Sequence, residues 1–302
     1  MQIKKALVTC LRIFAVCVLF TVCMAIGLML SGLTRLVPQT PPPPGQTLPP
    51  LLFFSLCVGI VVSYLILRSS WHGWPLAAAM FVGMYGISTV TSQIESIFFL
   101  SSKLAPGMLR AIFVQGAVGM ALFAPLAVLV LGRWPVKTPA VAFPAPPRLP
   151  VSSTVWKIVL LVVAFVFLYM FFGYYVAWRN PELRNFYGGH DWPNFFAAMK
   201  GNWQDSRLIF PLAAFRALLY IVFTYPLIRM LRFARWETTI STSLFLASWT
   251  TVLLLPNPLM PPSVARSHFW ETLAFSLVFG TLLGWLLSSP PSSATKSAPP
   301  AA

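Results

Sequence analysis

Residues 75–99, PLAAAMFVGMYGISTVTSQIESIFF, form a long apolar run that carries a single charged side chain, Glu95. About 20 predominantly apolar residues are enough to cross a bilayer as one helix. The run therefore predicts a transmembrane helix. Glu95 is the feature that needs an explanation, because a carboxylate inside hydrocarbon is energetically costly and usually has a partner or a function.

The composition of the whole chain indicates a membrane protein. Of its 302 residues, 58% are hydrophobic and 9% are charged, and the mean hydropathy is +0.78. Soluble domains carry about 25% charged residues, so we expect the lipid bilayer to be the main partner. The net charge of +15 is spread over short clusters between apolar runs, which is typical of membrane proteins. Without a basic face or a recognition motif, no nucleic-acid partner is expected, and the oligomeric state is left open.

Similar apolar runs recur along the chain and predict an all-α fold, a polytopic transmembrane helical bundle of about eight spans. The first run begins MQIKK, as signal peptides do, but it is longer than the roughly 7–15 residues of a signal-peptide core. We therefore expect a retained anchor. The predicted spans are 7–30, 51–67, 75–99, 109–131, 155–177, 208–228, 238–255 and 268–287.

Proline-rich stretches divide the chain, because proline does not continue a helix. One of them, PQTPPPPGQTLPP, occupies residues 38–50 and is predicted to be a break after the first span. The longer stretch, RWPVKTPAVAFPAPPRLP, occupies residues 133–150 and suggests two four-helix halves. No residue-level repeat supports a duplication. The predicted parts are a first transmembrane half (1–131), a Pro-rich cytoplasmic linker (132–154), a second transmembrane half (155–287) and a disordered tail (288–302).

Lys and Arg predict the orientation, because cytoplasmic loops are enriched in them. They are more frequent on the side of the two termini, so we expect both termini in the cytoplasm and the loop 178–207 outside. Long loops without structure are uncommon unless functional. We expect a short amphipathic helix near 193–203 in this loop, and a protein partner could dock there. Only Glu237 then lies inside, and the other acidic residues lie on the outer side: Glu95, Glu182, Asp191, Asp205 and Glu271.

Glu95 ends a polar stripe on its predicted helix, in which neighbours are three or four residues apart: Tyr85, Ser88, Ser92 and Glu95. One interpretation places its carboxylate among the headgroups, paired with Lys103. The other pairs it with Arg216, about 12 Å into the sixth span at 1.5 Å per residue. Pairing would lower the cost of both buried charges, but the sequence leaves open whether such a pair is structural or functional.

His268 and Glu271 open the last span three residues apart, so they point in the same general direction. Such a pair can bind a metal or act as a base and its orienting group. Two ligands do not make a site, so no metal is predicted, no cofactor can be named and no catalytic residue is assigned. Further ligands would have to come from Glu95, His190, Asp191 or Asn257. The candidate ligand-binding residues are Glu95, Arg216, His268, Glu271, Ser92 and Asn257.

Two further patterns concern helix packing. The seventh span is rich in Ser and Thr, whose hydroxyls can bond to backbone carbonyls or line a polar cavity. The eighth span carries Ser276, Gly280 and Gly284 four residues apart. This small-residue ridge predicts a close contact with another helix.

Two segments, FPLAAFRALLYIVFTYPLIRMLR (210–232) and LLPNPLMPPSVARSHFWETLAFSLVFG (254–280), resemble a group of bacterial multi-pass membrane proteins. The resemblance covers mainly the second half. It implies a bacterial inner membrane and no particular activity. The chain lacks the adjacent Glu-Glu pair of the intramembrane CAAX-type proteases, so that family's chemistry is not carried over.

Three functions remain open at this point. The first is binding or transport of a small solute or lipid through an outward-facing polar cluster. The second is an enzyme at the membrane interface, acting on a lipid-linked substrate with Glu95, His268, Glu271 and Arg216. The third is an assembly or structural subunit that docks through the loop 178–207.

Overall fold

The computed structural model of the protein describes residues 2–36, 44–101, 104–134, 151–231, 234–257 and 260–288. Within these residues the structure is helical and contains no strand. The one bridge between extended segments found there joins Ser69 to Leu231. The predicted all-α fold class is confirmed.

Ten helices make up the described part of the chain. The third, Gly73–Leu100, is continuous but irregular: it is α-helical over Gly73–Tyr85, π-helical over Gly86–Val90 and α-helical again over Thr91–Leu100. The helices are α1 Gln2–Ser31, α2 Pro44–Arg68, α3 Gly73–Leu100, α4 Met108–Val130, α5 Val151–Tyr175, α6 Pro181–Tyr187, α7 Phe195–Asp205, α8 Ile209–Met230, α9 Arg235–Thr250 and α10 Pro262–Leu287.

Seven of these helices are long and apolar enough to cross a membrane, namely α1 to α5, α8 and α10. The multi-pass prediction is confirmed, but the predicted eighth long span, 238–255, is not found. In its place α9 has 16 residues and is followed by the 3-10 helix Thr251–Leu254. At 1.5 Å per residue α9 covers about 24 Å, and the 3-10 turn adds about 8 Å. Most of α9 is buried by other helices, so this hydroxyl-rich segment does not need the apolar surface of a lipid-facing span.

Successive long segments run in opposite directions, and α9 takes part in this alternation. Gly280 of α10 lies against Ser243 of α9, and Gly284 lies against Thr239. Later positions in one helix thus meet earlier positions in the other, which is an antiparallel pair. We call the end of the bundle that holds the start of α1 and the end of α10 the terminal side. The opposite end, which carries α6 and α7, is the loop side.

The small-residue ridge of α10 makes the predicted close contact. A Cβ atom at Gly280 would lie 2.6 Å from Ser243 Cα, and one at Gly284 would lie 2.7 Å from Thr239 Cα. The hydroxyls of α9 donate to backbone carbonyls, mostly in their own helix, while Ser243 donates across to Leu277 of α10 at 2.9 Å. These hydroxyls serve helix packing, which favours the structural interpretation over the polar cavity.

One hydrophobic core runs through both predicted halves of the chain. Trp249 of α9 packs edge-on against Phe20 of α1 and Phe54 of α2, with ring centroids 5.9 Å and 6.1 Å apart. Phe165 of α5 and Phe279 of α10 belong to the same core. The two halves therefore share their core, and their division at residue 132 stays a prediction from sequence.

The break predicted over 38–50 is shorter than expected, because α2 already begins at Pro44. Proline fits the first turn of a helix, where N–H groups have no helical partner. Pro49 and Pro50 follow inside the helix; neither has an N–H group to donate. The linker residues 135–150, the tail beyond 288 and Lys103 lie outside the described residues.

Candidate polar site on the loop side

The polar stretch of α3 follows directly on its irregular segment. The π-helical turn Gly86–Val90 ends one residue before Thr91. Such turns are rare and often lie at functional sites. A π turn is wider than an α turn, so the predicted spacing of three and four residues no longer relates Tyr85 to Glu95. Tyr85 instead stacks on Phe81, with ring centroids 5.5 Å apart.

Glu95 is bound by side chains from two other helices. Arg216 of α8 places Nη2 2.7 Å from Glu95 Oε2, and the hydroxyl of Tyr169 in α5 donates to Oε1 at 2.8 Å. Of the two partners that the sequence left open for Glu95, Arg216 forms the ion pair, and Lys103 lies outside the described residues. About a third of the Glu95 side chain is exposed (34%), whereas Arg216 behind it is 8% exposed.

The guanidinium of Arg216 is only partly satisfied. It lies over the ring of Tyr169, 5.3 Å from the centroid. Its Nε and Nη1 atoms are buried and have no hydrogen-bond partner among the described residues. Buried donors in proteins nearly always have a partner, and a guanidinium cannot lose its charge to avoid the cost. The Tyr220 hydroxyl of the same helix lies near the guanidinium, but among the described residues neither donor has an acceptor in hydrogen-bonding geometry. An acceptor from outside the chain would satisfy them.

A second group of hydrogen bonds lies beside the first. His268 Nδ1 is 2.7 Å from Glu271 Oε2, and His268 Nε2 is 3.1 Å from the Tyr187 hydroxyl. An ionised Glu271 can only accept, so Nδ1 donates to it. The Nε2 atom accepts from Tyr187 when the imidazole is neutral and donates to it when the imidazole is protonated. The three side chains form a carboxylate–imidazole–phenol chain between α10 and α6.

The two groups form one cluster. Burial raises the pKa of Tyr187 above its ordinary value, and the nearby carboxylates of Glu95 and Glu271 raise it further. Glu95 lies about 8 Å from the loop-side end of α3, and Glu271 about 14 Å from the start of α10, at 1.5 Å per residue. The cluster is therefore a layer in the loop-side half of the bundle. We call it the polar cluster, and its members are Glu95, Tyr169, Tyr187, Arg216, His268 and Glu271.

The other predicted site residues lie differently. The Ser92 hydroxyl donates to the Ser88 carbonyl of its own helix at 3.0 Å, so it contributes to α3 rather than to the cluster. Asn257 is half-buried in the connection before α10, and a binding role for it stays a prediction. Among the described residues, no three His, Cys, Asp or Glu side chains meet as a metal site would require. Asp191, one of the possible further ligands, instead pairs with Arg184 at 3.2 Å.

The loop 178–207 is folded onto the loop side of the bundle. The helix expected near 193–203 is present as α7, at 195–205, while α6 was not predicted. The Asn180 side chain caps α6 by accepting from the Glu182 N–H, and its Nδ2 donates to the Ser263 carbonyl and the Ser267 hydroxyl of α10. This anchor holds α6 against α10, which brings Tyr187 to His268.

Two members of the cluster were missed by sequence reasoning. Tyr169 is one aromatic residue within the apolar run of α5, and Tyr187 precedes two glycines in the loop. No spacing or motif marks either one, because each acquires its role only where separate helices meet. The helical period alone would not have identified them.

A second ion pair lies at the terminal side of the bundle, between α2 and α9. Glu237 of α9 accepts from the Tyr64 hydroxyl at 2.6 Å and from Arg68 Nε at 2.8 Å, both of α2, and its second oxygen accepts from Arg68 Nη2 at 3.1 Å. Both oxygens of this carboxylate have partners. The pair joins α2 to α9 and has the character of a structural contact.

Comparison of the chain with protein-family models, with curated proteins and with solved structures finds no match. The polar cluster is therefore the basis for an argument about function.

Proposed function

We propose that the chain is an integral membrane protein that binds a small solute or a lipid headgroup at the polar cluster, as transport proteins do. The observation that carries this proposal is Arg216, which is charged, buried and left with two donors that no described residue satisfies. Charged side chains within membrane spans are costly, and they commonly mark substrate or ion pathways.

Two features of α3 support the proposal. Its π-helical turn lies within the span, one residue before the polar stretch that leads to Glu95. The Glu95 side chain is the more exposed member of the ion pair. A ligand that approaches from the loop side would therefore meet Glu95 first and Arg216 behind it.

We place the protein in the inner membrane of a bacterium, with both termini in the cytoplasm and the polar cluster toward the outer face. The excess of Lys and Arg on the terminal side supports this orientation. The resemblance of residues 210–232 and 254–280 to bacterial multi-pass proteins supports the membrane.

Native mass spectrometry of the full chain, released from its own membrane, tests the proposal. Wild type and Arg216→Gln are compared, with Arg207→Gln as the matched control, because Arg207 is an exposed arginine just before α8. We expect a non-covalent adduct on wild type and Arg207→Gln that disappears in Arg216→Gln. An adduct that persists in Arg216→Gln, or a wild type without any adduct, would contradict ligand binding at the cluster.

A second candidate is an enzyme that acts on a lipid-linked substrate at the loop side. The chain from Glu271 through His268 to Tyr187 supports it, because a carboxylate that orients an imidazole is the usual arrangement of a general base. Under this proposal His268→Asn keeps the adduct and stops its conversion to a product of different mass. If the adduct's mass is the same in wild type and His268→Asn, the enzymatic candidate is rejected.

The role of an assembly subunit rests on α7. Its Phe196 and Trp203 side chains are exposed and offer a surface for a protein partner. Replacing both with Ser should then release a co-purifying protein and leave the small-molecule adduct in place. Loss of the adduct alone would assign these side chains to ligand binding.

A further inference from the structure

The charge balance of the polar cluster limits what Arg216 can bind. Arg216 is already neutralised by Glu95, and Glu271 places a second carboxylate in the same layer. A further anion added beside both carboxylates would leave uncompensated negative charge in apolar surroundings, which is strongly unfavourable. An anion can therefore enter only if negative charge is removed from the cluster at the same time.

The free donors of Arg216 nevertheless call for an acceptor with negative charge. A planar guanidinium binds groups with two acceptor oxygens best, because its N–H groups can form parallel hydrogen bonds to carboxylate or phosphate. Glu95 engages only Nη2 and leaves Nε and Nη1 open. Each of these two donors shares an edge of the guanidinium with Nη2, so an oxyanion that binds Nε or Nη1 forms the parallel pair of hydrogen bonds once it displaces Glu95 from Nη2.

We infer that the ligand of the cluster carries one negative charge on a carboxylate or phosphate group, that it replaces Glu95 on Arg216, and that Glu95 takes up one proton as it does so. In this exchange the anion gains the guanidinium, the released Glu95 carboxylate becomes a neutral carboxylic acid, and the net charge of the cluster does not change. The inference rests on the proposed function and adds to it the charge of the ligand and the coupled proton.

The groups that face Glu95 decide where the proton goes. Arg216 and Tyr220 approach from α8, Tyr169 from α5, and Tyr187 from α6. From α10, His268 and Glu271 act on the same layer. His268 is the competing acceptor, but its two nitrogens are already engaged by Glu271 and Tyr187. Glu95 loses its cationic partner in the exchange, so it has the greatest need of a proton.

The full chain in phosphatidylcholine nanodiscs is titrated with each probe by calorimetry. Each titration is carried out at the same pH in two buffers of different ionisation enthalpy, because the difference in heat gives the number of protons taken up. Sodium acetate and sodium dimethyl phosphate are the soluble probes, and nanodiscs that contain phosphatidylglycerol test a lipid headgroup as the source, because each of these anions keeps a single charge near neutral pH. For wild type we expect uptake of one proton per bound anion. Wherever the unliganded cluster lacks this proton, affinity should fall about tenfold per pH unit, because one proton binds with each anion.

Variants assign the two roles. Glu95→Gln imitates the protonated acid, so it should bind the same probe without proton uptake and without pH dependence. Arg216→Gln should not bind the probe, and Arg207→Gln should behave as wild type. If Glu95→Gln does not fold, the number of protons taken up by wild type and the pH dependence of its affinity test the coupled proton uptake without the variant.

The possible failures can be told apart. Wild-type binding without proton uptake overturns the inference, and so does proton uptake that persists in Glu95→Gln, since His268 would then be the acceptor. If none of the three probes binds although Arg216→Gln loses its adduct in mass spectrometry, the ligand is not a simple oxyanion and the proposed function stands. If no adduct and no probe binding are found, both proposals fail.

Discussion

Two ion pairs at opposite ends of the bundle differ in how completely their hydrogen-bonding groups are used. Glu237 receives three hydrogen bonds from Tyr64 and Arg68, whereas Arg216 has two buried donors without a described partner. In the first arrangement both carboxylate oxygens have partners. In the second arrangement, burying the charge of Arg216 is costly, and two of its donors lack a partner among the described residues. We therefore base the proposed function on the pair of Arg216 and Glu95.

The first prediction concerns the coupling between Glu95 and Arg216. Glu95→Gln leaves a buried guanidinium without its counter-ion, and we expect a loss of about 3 kcal/mol in the free energy of unfolding, the low end for breaking a buried pair because Glu95 is partly exposed. The double variant Glu95→Gln/Arg216→Gln should be more stable than Glu95→Gln alone, since it removes the uncompensated charge. Denaturant unfolding in detergent micelles measures this cycle, and additive losses would show that the two charges are not coupled.

At the scale of elements, α6 depends on contacts rather than on its own length. It has seven residues, and isolated helices of that length are not stable in water. Asn180 supplies both its N-cap and its anchor to α10. The position of Tyr187 in the polar cluster therefore depends on one asparagine outside the cluster.

The second prediction compares two N-caps in the same loop. Asn180→Ala removes a cap, worth about 1 kcal/mol, together with two hydrogen bonds to α10. Asn194→Ala removes only the cap of α7, where it accepts from the Ala197 N–H. Hydrogen–deuterium exchange should therefore rise over 181–187 and at the start of α10 in Asn180→Ala, and only over 195–205 in Asn194→Ala. Equal local effects of the two variants would contradict the anchoring role.

The third prediction concerns the contact between α9 and α10. Gly280→Ala brings a methyl group against the backbone of Ser243, so the helices must separate, and such overpacking costs about 1–3 kcal/mol. Gly45→Ala in α2 is the matched control, because a Cβ there meets nothing within 4 Å. Thermal unfolding in micelles should show a lower Tm for Gly280→Ala only. An unchanged Tm would mean that α9 and α10 can move apart freely.

At the scale of the whole molecule, α9 continues the alternation of helix directions, although it is not one of the seven long apolar helices. Several of its buried side chains belong to the core that both predicted halves share. It pairs Glu237 with Arg68 at the terminal side and reaches Phe54 through Trp249 near its other end. The segment from Arg235 to Leu254 thus runs beside α2 for most of the length of that helix. Its direction brings the start of α10, with His268 and Glu271, to the loop side.

The fourth prediction tests this topology by labelling single cysteines with a membrane-impermeant maleimide in a background without the native cysteines. Gln204→Cys and Arg266→Cys should be labelled from one face of intact membranes, and Lys4→Cys only after permeabilisation. All three side chains are exposed in the fold. Labelling of Lys4→Cys and Arg266→Cys from the same face would show that α9 does not cross.

The limits of sequence reasoning are clearest at α9 and in the polar cluster. The length of the apolar runs located the long helices, because a helix needs about 20 apolar residues to cross the hydrocarbon core. It also predicted a full span at 238–255, where the structure has a 16-residue α9 and a 3-10 helix. The hydroxyls of α9 are covered by neighbouring helices and not by lipid. The similar depth of two costly charges made Arg216 one of two candidate partners of Glu95, but the sequence could not choose between it and Lys103. Tyr169 and Tyr187 were not predictable, since nothing local distinguishes them from other aromatic residues.

The sequence by itself determined that this protein is an all-α membrane protein, approximately where its long helices lie, and that its few intramembrane charges would need partners. These properties follow from composition and from the cost of polar groups in hydrocarbon, which act on each segment separately. Only the tertiary structure decided which side chains meet in the polar cluster and that two donors of Arg216 have no partner within the described part of the chain. Contacts between helices depend on the rotation and depth of every helix at once, and no single segment encodes them.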